Sequence, residues 1–561
     1  MAKKNKYADW TKEELIKRVT ALDKRKKYGL VWDEEKTKEK FEADAEGKFP
    51  VLKEVKSKEI KTDLKQPTHI LIEGDNYHAL SVLSYTHEKK IDVIYIDPPY
   101  NTGNKSWKYN NDYVEKDDSY KHSKWLSCMQ KRLLLAKRLL NKNGVLVCTI
   151  DENEQATLGL LLQEIFPSYQ ITCVTIVHNP AGIQGDNFSY CHEFAYFVYP
   201  RGGRYIGQQL REEGNNDIRN FRDVTGEDSL RTAGANCFYP IYVKDSKIIA
   251  FGPVCKNDYH PNVNVKRNDG VIEIYPVDPQ GVERKWRFAR QTVEKIKDEL
   301  EVKFIKGRKV YDIIRSKNKF NFKTVWTDSK YSANNHGTQL LNQILEPGSF
   351  SFPKSLFAVI DSIKAASNEN KKCIVVDFFA GSGTTGHAVL HLNKEDDGQR
   401  QFILCTNNEN DICTDVCYPR IKKVVKGYSK PNEGVVSGLE GNLKYFKTSF
   451  IPQESTDKNK ELLTKEATEM LCLRENAFEF VIEQEGYKIY KNDKKYLGII
   501  LDQSLIEDFK KEAKKFDKQI NVYVFSLTDE DFSEEFTDLK KKVKVCSIPE
   551  AILRVYRRIF K

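Results

Sequence analysis

Residues 91–101 run IDVIYIDPPYN, and the fold turns on how this stretch is understood. Ile91 to Ile96 are apolar, β-branched or aromatic apart from Asp92. That composition suits a strand buried on both faces of a parallel sheet. Pro98 and Pro99 cannot continue the strand, because neither offers an N–H to a neighbour. The chain must turn there, at the carboxyl edge of the sheet, where open α/β sheets place their ligands. Asp97 is then an acceptor without a proton of its own, and Tyr100 is a flat ring on the same stiff turn. Together they suit a planar group carrying an N–H donor, such as the edge of a nucleobase. An ordinary strand end closed by a proline turn is the plainer alternative.

The flanking sequence repeats one pattern. His69–Ile72 is a short strand, Glu73–Asn76 a loop, and Tyr77 to about Glu88 a helix. After Tyr100, residues 101–120 are polar and aromatic, which predicts a long loop over the site. Trp125–Leu140 is an amphipathic helix stopped by Gly144; Val145–Ile150 is a strand, and Asp151–Glu154 opens another helix. Strand, loop and helix thus recur three times, which predicts a doubly wound, mostly parallel α/β sheet.

A second motif lies far downstream. Cys373–His387, CIVVDFFAGSGTTGH, predicts a buried strand, a glycine-rich turn and a helix start. Glycines let a ligand approach the backbone, and the helix N-terminus offers unpaired N–H groups to an anion or carboxylate. Gln401–Thr406 is the next strand, and Glu409 follows its carboxyl end, where a carboxylate commonly takes ribose hydroxyls. Gly381, Gly383 and Gly386 also satisfy the G-x-G-x-x-G of dinucleotide folds. A phosphate-loop NTPase is disfavoured, because His387 and Ala388 stand where Lys and Ser or Thr are needed.

Length and composition set the frame. A chain of 561 residues should hold roughly three or four domains. With 40% hydrophobic and 31% charged residues it belongs with soluble globular proteins. No apolar run approaches the ~20 residues of a membrane span. The start, MAKKNKYADW, has charge but no apolar core of a signal peptide, so a cytoplasmic protein is expected. The 12 cysteines are scattered through apolar segments, as reduced thiols would be. Cys413 and Cys417 lack a second ligand pair, so no metal is expected. A net charge of +10, from 91 basic and 81 acidic residues, is a mild case for a polyanionic partner.

Five segments are expected. Residues 1–65 form a basic helical segment opened by a capping box, Thr11 to Glu14, which is either a solvated face or a phosphate-contacting arm. Residues 66–178 and 324–429 are the two halves of the catalytic sheet. Between them, 179–323 has short strands, interleaved aromatics and dispersed basic residues. Arg201, Arg204, Arg222 and Arg267 are the candidate DNA contacts there, with Asn101, Lys105 and Trp107 near the site. The alternative is a solvated surface. Residues 430–561 predict a polar linker, a helix, three antiparallel strands, and then helix, strand, strand and helix. This small α+β domain is read as an interaction module.

Taken together, these residues resemble β-class adenine-specific DNA methyltransferases. Asp97-Pro98-Pro99-Tyr100 matches the catalytic D-P-P-Y, and Asp377-Phe378-Phe379-Ala380-Gly381-Ser382-Gly383 matches the S-adenosylmethionine loop. The order, D-P-P-Y first with target recognition inserted, is that of the β class. Phe352-Pro353-Lys354 is similar to the helix motif that closes the cofactor pocket. EGDN at 73–76, YNTGN at 100–104, DSYKHSKWLSCMQKRL at 118–133 and TIDENE at 149–154 are most similar to modification subunits of type III restriction–modification systems. One departure is Thr406-Asn407-Asn408-Glu409, where many relatives place the acid directly at the strand end.

The resemblance implies a class I S-adenosylmethionine-dependent methyltransferase fold, circularly permuted, that methylates the N6 amine of an adenine flipped out of duplex DNA. Asp97 and the Pro98 carbonyl would accept from the amine, and Tyr100 would stack on the base. Asp377, Phe378, Phe379, Gly381, Ser382, Gly383 and Thr384 would hold the donor's amino-acid end, with Asp97, Pro353 and Lys354 beside it. Asp75, Asn76 and Glu409 would take the adenosine half. A homodimer and a restriction subunit are the implied partners. The competing readings are an N4-cytosine methyltransferase, which more often has Ser in place of Asp97, and a catalytically silent DNA-recognition subunit. A dehydrogenase would leave D-P-P-Y unexplained.

Overall fold

The computed structural model describes residues 10–23, 30, 32, 46–63, 65–102, 104–109, 112–115, 120–184, 186–211, 217–430, 434–528, 530–540 and 542–560. The chain forms two compact units, residues 1–207 with 323–561, and residues 208–322.

The first unit is built on a ten-stranded sheet. Its order is Lys48–Glu54, Asn442–Pro452, Thr68–Glu73, Gln401–Thr406, Ile374–Asp377, Ile91–Ile96, Leu140–Ile150, His192–Pro200, Tyr169–Val177 and Val325–Trp326. The six strands from Asn442–Pro452 to Leu140–Ile150 are mutually parallel. Their β-branched runs are buried on both faces; Val93, Ile94, Val145, Val147 and Val375 are fully covered. Helices Asn76–Thr86, Lys121–Leu139, Leu356–Ser367 and Thr384–Asp396 supply the crossovers that parallel pairing requires. The expected doubly wound α/β sheet is therefore present, and Ile91–Ile96 lies near its middle.

His192–Pro200 runs antiparallel to Leu140–Ile150, with Phe194 opposite Ile150. This strand starts at the same edge where the parallel strands end. It lies inside the sheet unit, so the inserted unit begins at Gln208 and not at Asn179. The expected loop at 101–120 also differs, because Asn104–Tyr109 and Asp112–Glu115 pair as a hairpin.

The capping box forms: Thr11 N–H donates to Glu14 Oε2 at 2.7 Å and Glu14 N–H to Thr11 Oγ1 at 3.3 Å, opening the helix Lys12–Asp23. The lysines at 3, 4, 6, 24, 26 and 27 lie outside the described residues.

The C-terminal region corrects the expected boundary. Asn442–Pro452 was expected in a polar linker, yet it is a sheet strand between Thr68–Glu73 and Lys48–Glu54. Beyond it, the three antiparallel strands appear as Glu479–Glu483, Tyr487–Lys491 and Lys495–Ile500, followed in parallel by Gln519–Phe525 and Val543–Ile548. Met470, Leu471, Ile552 and Tyr556 share one core with Leu80, Leu83 and Tyr85 of the catalytic half. Tyr556 donates to the Pro50 carbonyl at 2.5 Å. This region is packed as part of the sheet unit.

The inserted unit has its own core around Phe221, Tyr239, Ile274, Trp286 and Ile313, with small antiparallel sheets. Among the described residues no helix is long and apolar enough to cross a membrane.

Candidate active site

Asp97 leaves the strand Ile91–Ile96 at the carboxyl edge, and three groups converge on it. Its Oδ1 accepts from the Tyr100 hydroxyl at 2.7 Å and from Thr149 Oγ1 at 2.6 Å. Lys354 Nζ lies 3.2 Å from the same oxygen. Tyr100 also donates to Glu193 Oε2 at 3.1 Å, and Lys354 bonds both the Tyr100 hydroxyl and Glu193. Glu193 is buried at the start of the antiparallel strand, so its carboxylate depends on the Lys354 ammonium for counter-charge. Burial works against the charge on Lys354, but Asp97 and Glu193 outweigh it and raise the amine above its ordinary range. Burial, reinforced by the same two carboxylates, drives the Tyr100 phenol well upward, so the hydroxyl keeps its proton.

Two acceptors remain open on this turn. All the hydrogen bonds to Asp97 fall on Oδ1, leaving Oδ2 without a partner among the described residues. The Pro99 carbonyl is taken by Trp125 Nε1 at 2.7 Å, while the Pro98 carbonyl accepts no bond among the described residues. Lys354 Nζ is 4.5 Å from the Tyr100 ring centroid but is bonded at the hydroxyl. The Tyr100 ring itself is half-buried and packs against the main core of the sheet unit.

Asn101 corrects one expectation. It is fully buried, at φ +58°, and its amide donates to Glu154 Oε1 at 2.5 Å and to the Lys121 carbonyl at 3.2 Å. It fastens the turn to the neighbouring helix and cannot face DNA. Lys105 and Trp107 lie on the hairpin, and their side chains fall outside the described residues.

The glycine loop lies beside this turn, since Ile374–Asp377 pairs with Ile91–Ile96. Gly381 at φ +49° and Gly383 at +79° occupy left-handed conformations that L side chains rarely adopt. Burial pushes the Asp377 carboxyl up to about 7, against the pull of its hydrogen bonds from Thr385 Oγ1 at 2.6 Å and Phe379 N–H at 2.9 Å. Phe378 is corrected: its ring is in the core, and its carbonyl accepts from Asn76 Nδ2 at 2.9 Å. Asn76 also accepts from Arg132, so its amide ties the loop to the helix Asn76–Thr86 rather than standing free for a ligand. Asp75 caps that helix through Tyr77 N–H at 2.8 Å and keeps its other oxygen 3.4 Å from Arg132. Pro353 is buried and Phe379 half-buried, whereas Glu409 is exposed on a short turn past the strand end. The hydroxyls of Ser382 and Thr384 face a buried arginine, Arg420, at 3.0 and 2.8 Å.

The cradle fits S-adenosylmethionine. Left-handed glycines bring backbone close to a ligand, a helix N-terminus supplies N–H groups, and Asp377 can meet an ammonium. Sequence reasoning missed Thr149, Glu193 and Arg420. Thr149 stood in the quoted TIDENE run, but Glu193 looks like one acid heading an apolar strand, and nothing near Arg420 marks it.

Of the DNA candidates, Arg222 is corrected. It is buried, and its guanidinium pairs with Asp312 at 3.0 Å and with the Val277 carbonyl, so it braces the inserted unit from within. Arg267 is half-exposed but held by Glu273 at 2.5 Å. Arg201 and Arg204 are exposed and belong to the sheet unit.

A parallel sheet whose carboxyl edge carries an open carboxylate oxygen, an aromatic ring and a neighbouring glycine cradle is an arrangement suited to group transfer onto a planar amine. The chain belongs to the DNA methylase family of N6/N4 methyltransferases, whose profile matches residues 91–416. It is 30% identical over 393 residues to the type II methyltransferase M.KpnI of Klebsiella pneumoniae, covering 67% of this chain and 90% of that one. It is 29% identical over 409 residues to the Mod subunit of the type III restriction–modification enzyme EcoPI of Escherichia phage P1, covering 64% and 60%. The probable type III HindVI Mod subunit of Haemophilus influenzae matches at 26% over 531 residues, covering 83% of this chain and 65% of that one. The chain thus spans less than two thirds of either Mod subunit's length. It is a DNA methyltransferase, and S-adenosylmethionine is its methyl donor.

Proposed function

We propose that this chain methylates the N6 amine of adenine in a specific DNA sequence, as the modification component of a type III-like restriction–modification system in the cytoplasm. The observation that carries the reading is the pair of open acceptors, Asp97 Oδ2 and the Pro98 carbonyl, on the turn that also carries the Tyr100 ring. An amine inside a duplex cannot reach them, so the target nucleotide is flipped out of the stack. Tyr100 holds the base by its face. The two acceptors take the two N–H groups of the exocyclic amine, which draws its lone pair out of conjugation and aims it at the donor. S-adenosylmethionine, held by the glycine loop and Asp377, supplies an activated methyl group. Lys354 and Thr149 fix Asp97 Oδ1 so that Oδ2 stays in place as the amine becomes positive; catalysis is positioning and electrostatics.

Residues 208–322, a separately cored insertion, are assigned to target recognition. A homodimer and a restriction subunit are the proposed partners, and the similarity to proteins named as Mod subunits of type III restriction–modification enzymes supports the second. The test is transfer of labelled methyl from S-adenosylmethionine to DNA, followed by nucleoside analysis. N6-methyl-2′-deoxyadenosine is expected. N4-methyl-2′-deoxycytidine would move the target to cytosine, and no labelled nucleoside at all would make the chain a silent recognition subunit.

A further inference from the structure

Five arginines are buried among the described residues: Arg132, Arg222, Arg231, Arg400 and Arg420. Four have a carboxylate partner, respectively Asp75 at 3.4 Å, Asp312 at 3.0 Å, Glu283 at 2.9 Å and Asp396 at 2.8 Å. Arg420, with no exposure at all, has none. Its Nη1 donates to Thr384 Oγ1 at 2.8 Å, Ser382 Oγ at 3.0 Å and the Ser382 carbonyl at 3.4 Å, and its Nε has no partner. Its titratable neighbours do not supply the missing charge. Burial holds the Cys417 thiol and the Tyr428 phenol neutral, and it keeps His387 neutral as well. Burial lowers the guanidinium to about 10, so it still carries its charge at neutral pH.

A buried cation without a counter-ion is costly, and a site built around one favours an anion. We propose that Arg420 is the counter-charge for the carboxylate of the bound methyl donor, acting through the hydroxyls of Ser382 and Thr384. The assignment rests on the reading that the glycine loop holds S-adenosylmethionine. Both hydroxyls accept from Arg420 and lie 3.3 Å from each other, so one proton can bridge the pair while the other is left to donate to a ligand. They stand at the start of the helix Thr384–Asp396, whose first N–H groups have no intrahelical acceptor. The next residue, Thr385, donates to Asp377 at 2.6 Å. Consecutive threonines therefore lead to charges of opposite sign, one cationic through Arg420 and one acidic at Asp377. Opposite signs reached from adjacent residues suit the two ends of an amino-acid zwitterion: ammonium toward Asp377, carboxylate toward the hydroxyls that Arg420 polarises. Arg420 is a positioning residue, for it touches the loop and not the donor.

The experiment is a ligand-and-residue cycle read by calorimetry, with S-adenosylhomocysteine and its carboxyl methyl ester as probes. The intact protein should prefer the free acid by about 30-fold or more, as expected when one partner of a buried charge pair is lost. In Arg420→Gln that preference should fall to within about 3-fold, because the coupling term is gone. Equal weakening of acid and ester by Arg420→Gln would mean that the residue only packs the loop, and would overturn the proposal. If Arg420→Gln does not fold, Thr384→Val cuts the link from the other side. Loss of the preference in that variant supports the proposal, and an unchanged preference overturns it. Failure of the intact protein to bind S-adenosylhomocysteine would instead sink the donor reading on which the inference rests.

Discussion

In the unit spanning 208–322, arginines close their charges locally. Arg222 meets Asp312, Arg231 meets Glu283, Arg284 meets Asp278, Arg287 meets Asp223 and Arg315 meets Glu299. At the carboxyl edge of the large sheet the arrangement is the reverse. One ammonium, Lys354, serves two carboxylates, and among the described residues Asp97 keeps one oxygen open and Arg420 has no acid. Charge that is matched within its own unit braces the architecture. Charge left over is available to a ligand, and only the second arrangement has anything to offer chemistry.

The strongest way to break that contrast is to open a closed pair. Arg222→Ala leaves Asp312 buried and unmatched, and should destabilise the inserted unit by about 3–5 kcal/mol. Thermal or denaturant unfolding measures it, and a loss confined to DNA affinity would restore Arg222 as a contact residue. Removing the open acceptor should do the opposite. Asp97→Ala should keep its fold and its S-adenosylhomocysteine affinity, yet lose about 10²–10³ in single-turnover methyl transfer. Near-normal transfer by the folded variant would remove Asp97 from the mechanism.

Asp377 sharpens the comparison through pH. Its native pKa, about 7, stands above the ordinary carboxyl value, so between about pH 4 and 7 the folded chain holds a proton that the unfolded chain has released. Stability without ligand should therefore fall as pH rises through that window, by about 2–4 kcal/mol from this residue. Asp377→Asn should flatten the profile, and donor affinity should rise with pH in the parent but not in the variant. A parallel pH profile in both proteins would mean that another group sets the slope. At the small end, Arg219 and Asp217 form an exposed pair, and replacing either with Ala should leave the melting temperature unchanged within error. A clear drop would show that exposed pairs also hold the insertion together.

Much of this was legible in the sequence because the signals are local. Ile91–Ile96 and Ile374–Asp377 are unbroken β-branched runs ended by prolines or glycines, and the Thr11 to Glu14 capping box is four residues long. The three antiparallel strands after residue 478 announce themselves by alternation and turns. What was not legible depends on partners far away. Asn442–Pro452 has an ordinary strand composition, and only its neighbours, some 375 residues earlier, make it part of the catalytic sheet. Arg222 and Asp312 are separated by 90 residues, so composition could count the arginine but not see it neutralised. Glu193 belongs to the site only because its strand runs against the others and arrives where they end.

The strand Asn442–Pro452 has a consequence for how the enzyme comes into being. It slots between two segments made much earlier, Lys48–Glu54 and Thr68–Glu73. A nascent chain of about 430 residues on the ribosome would already contain Asp97, Asp377 and the whole insertion. The outer rim of Thr68–Glu73 would still be an uncovered edge, open to pairing with another chain. Translation must pass Pro452 before that rim is sealed. Shortened versions of the protein ending before Asn442 should be recovered as aggregates, even though every residue of the proposed chemistry is present in them.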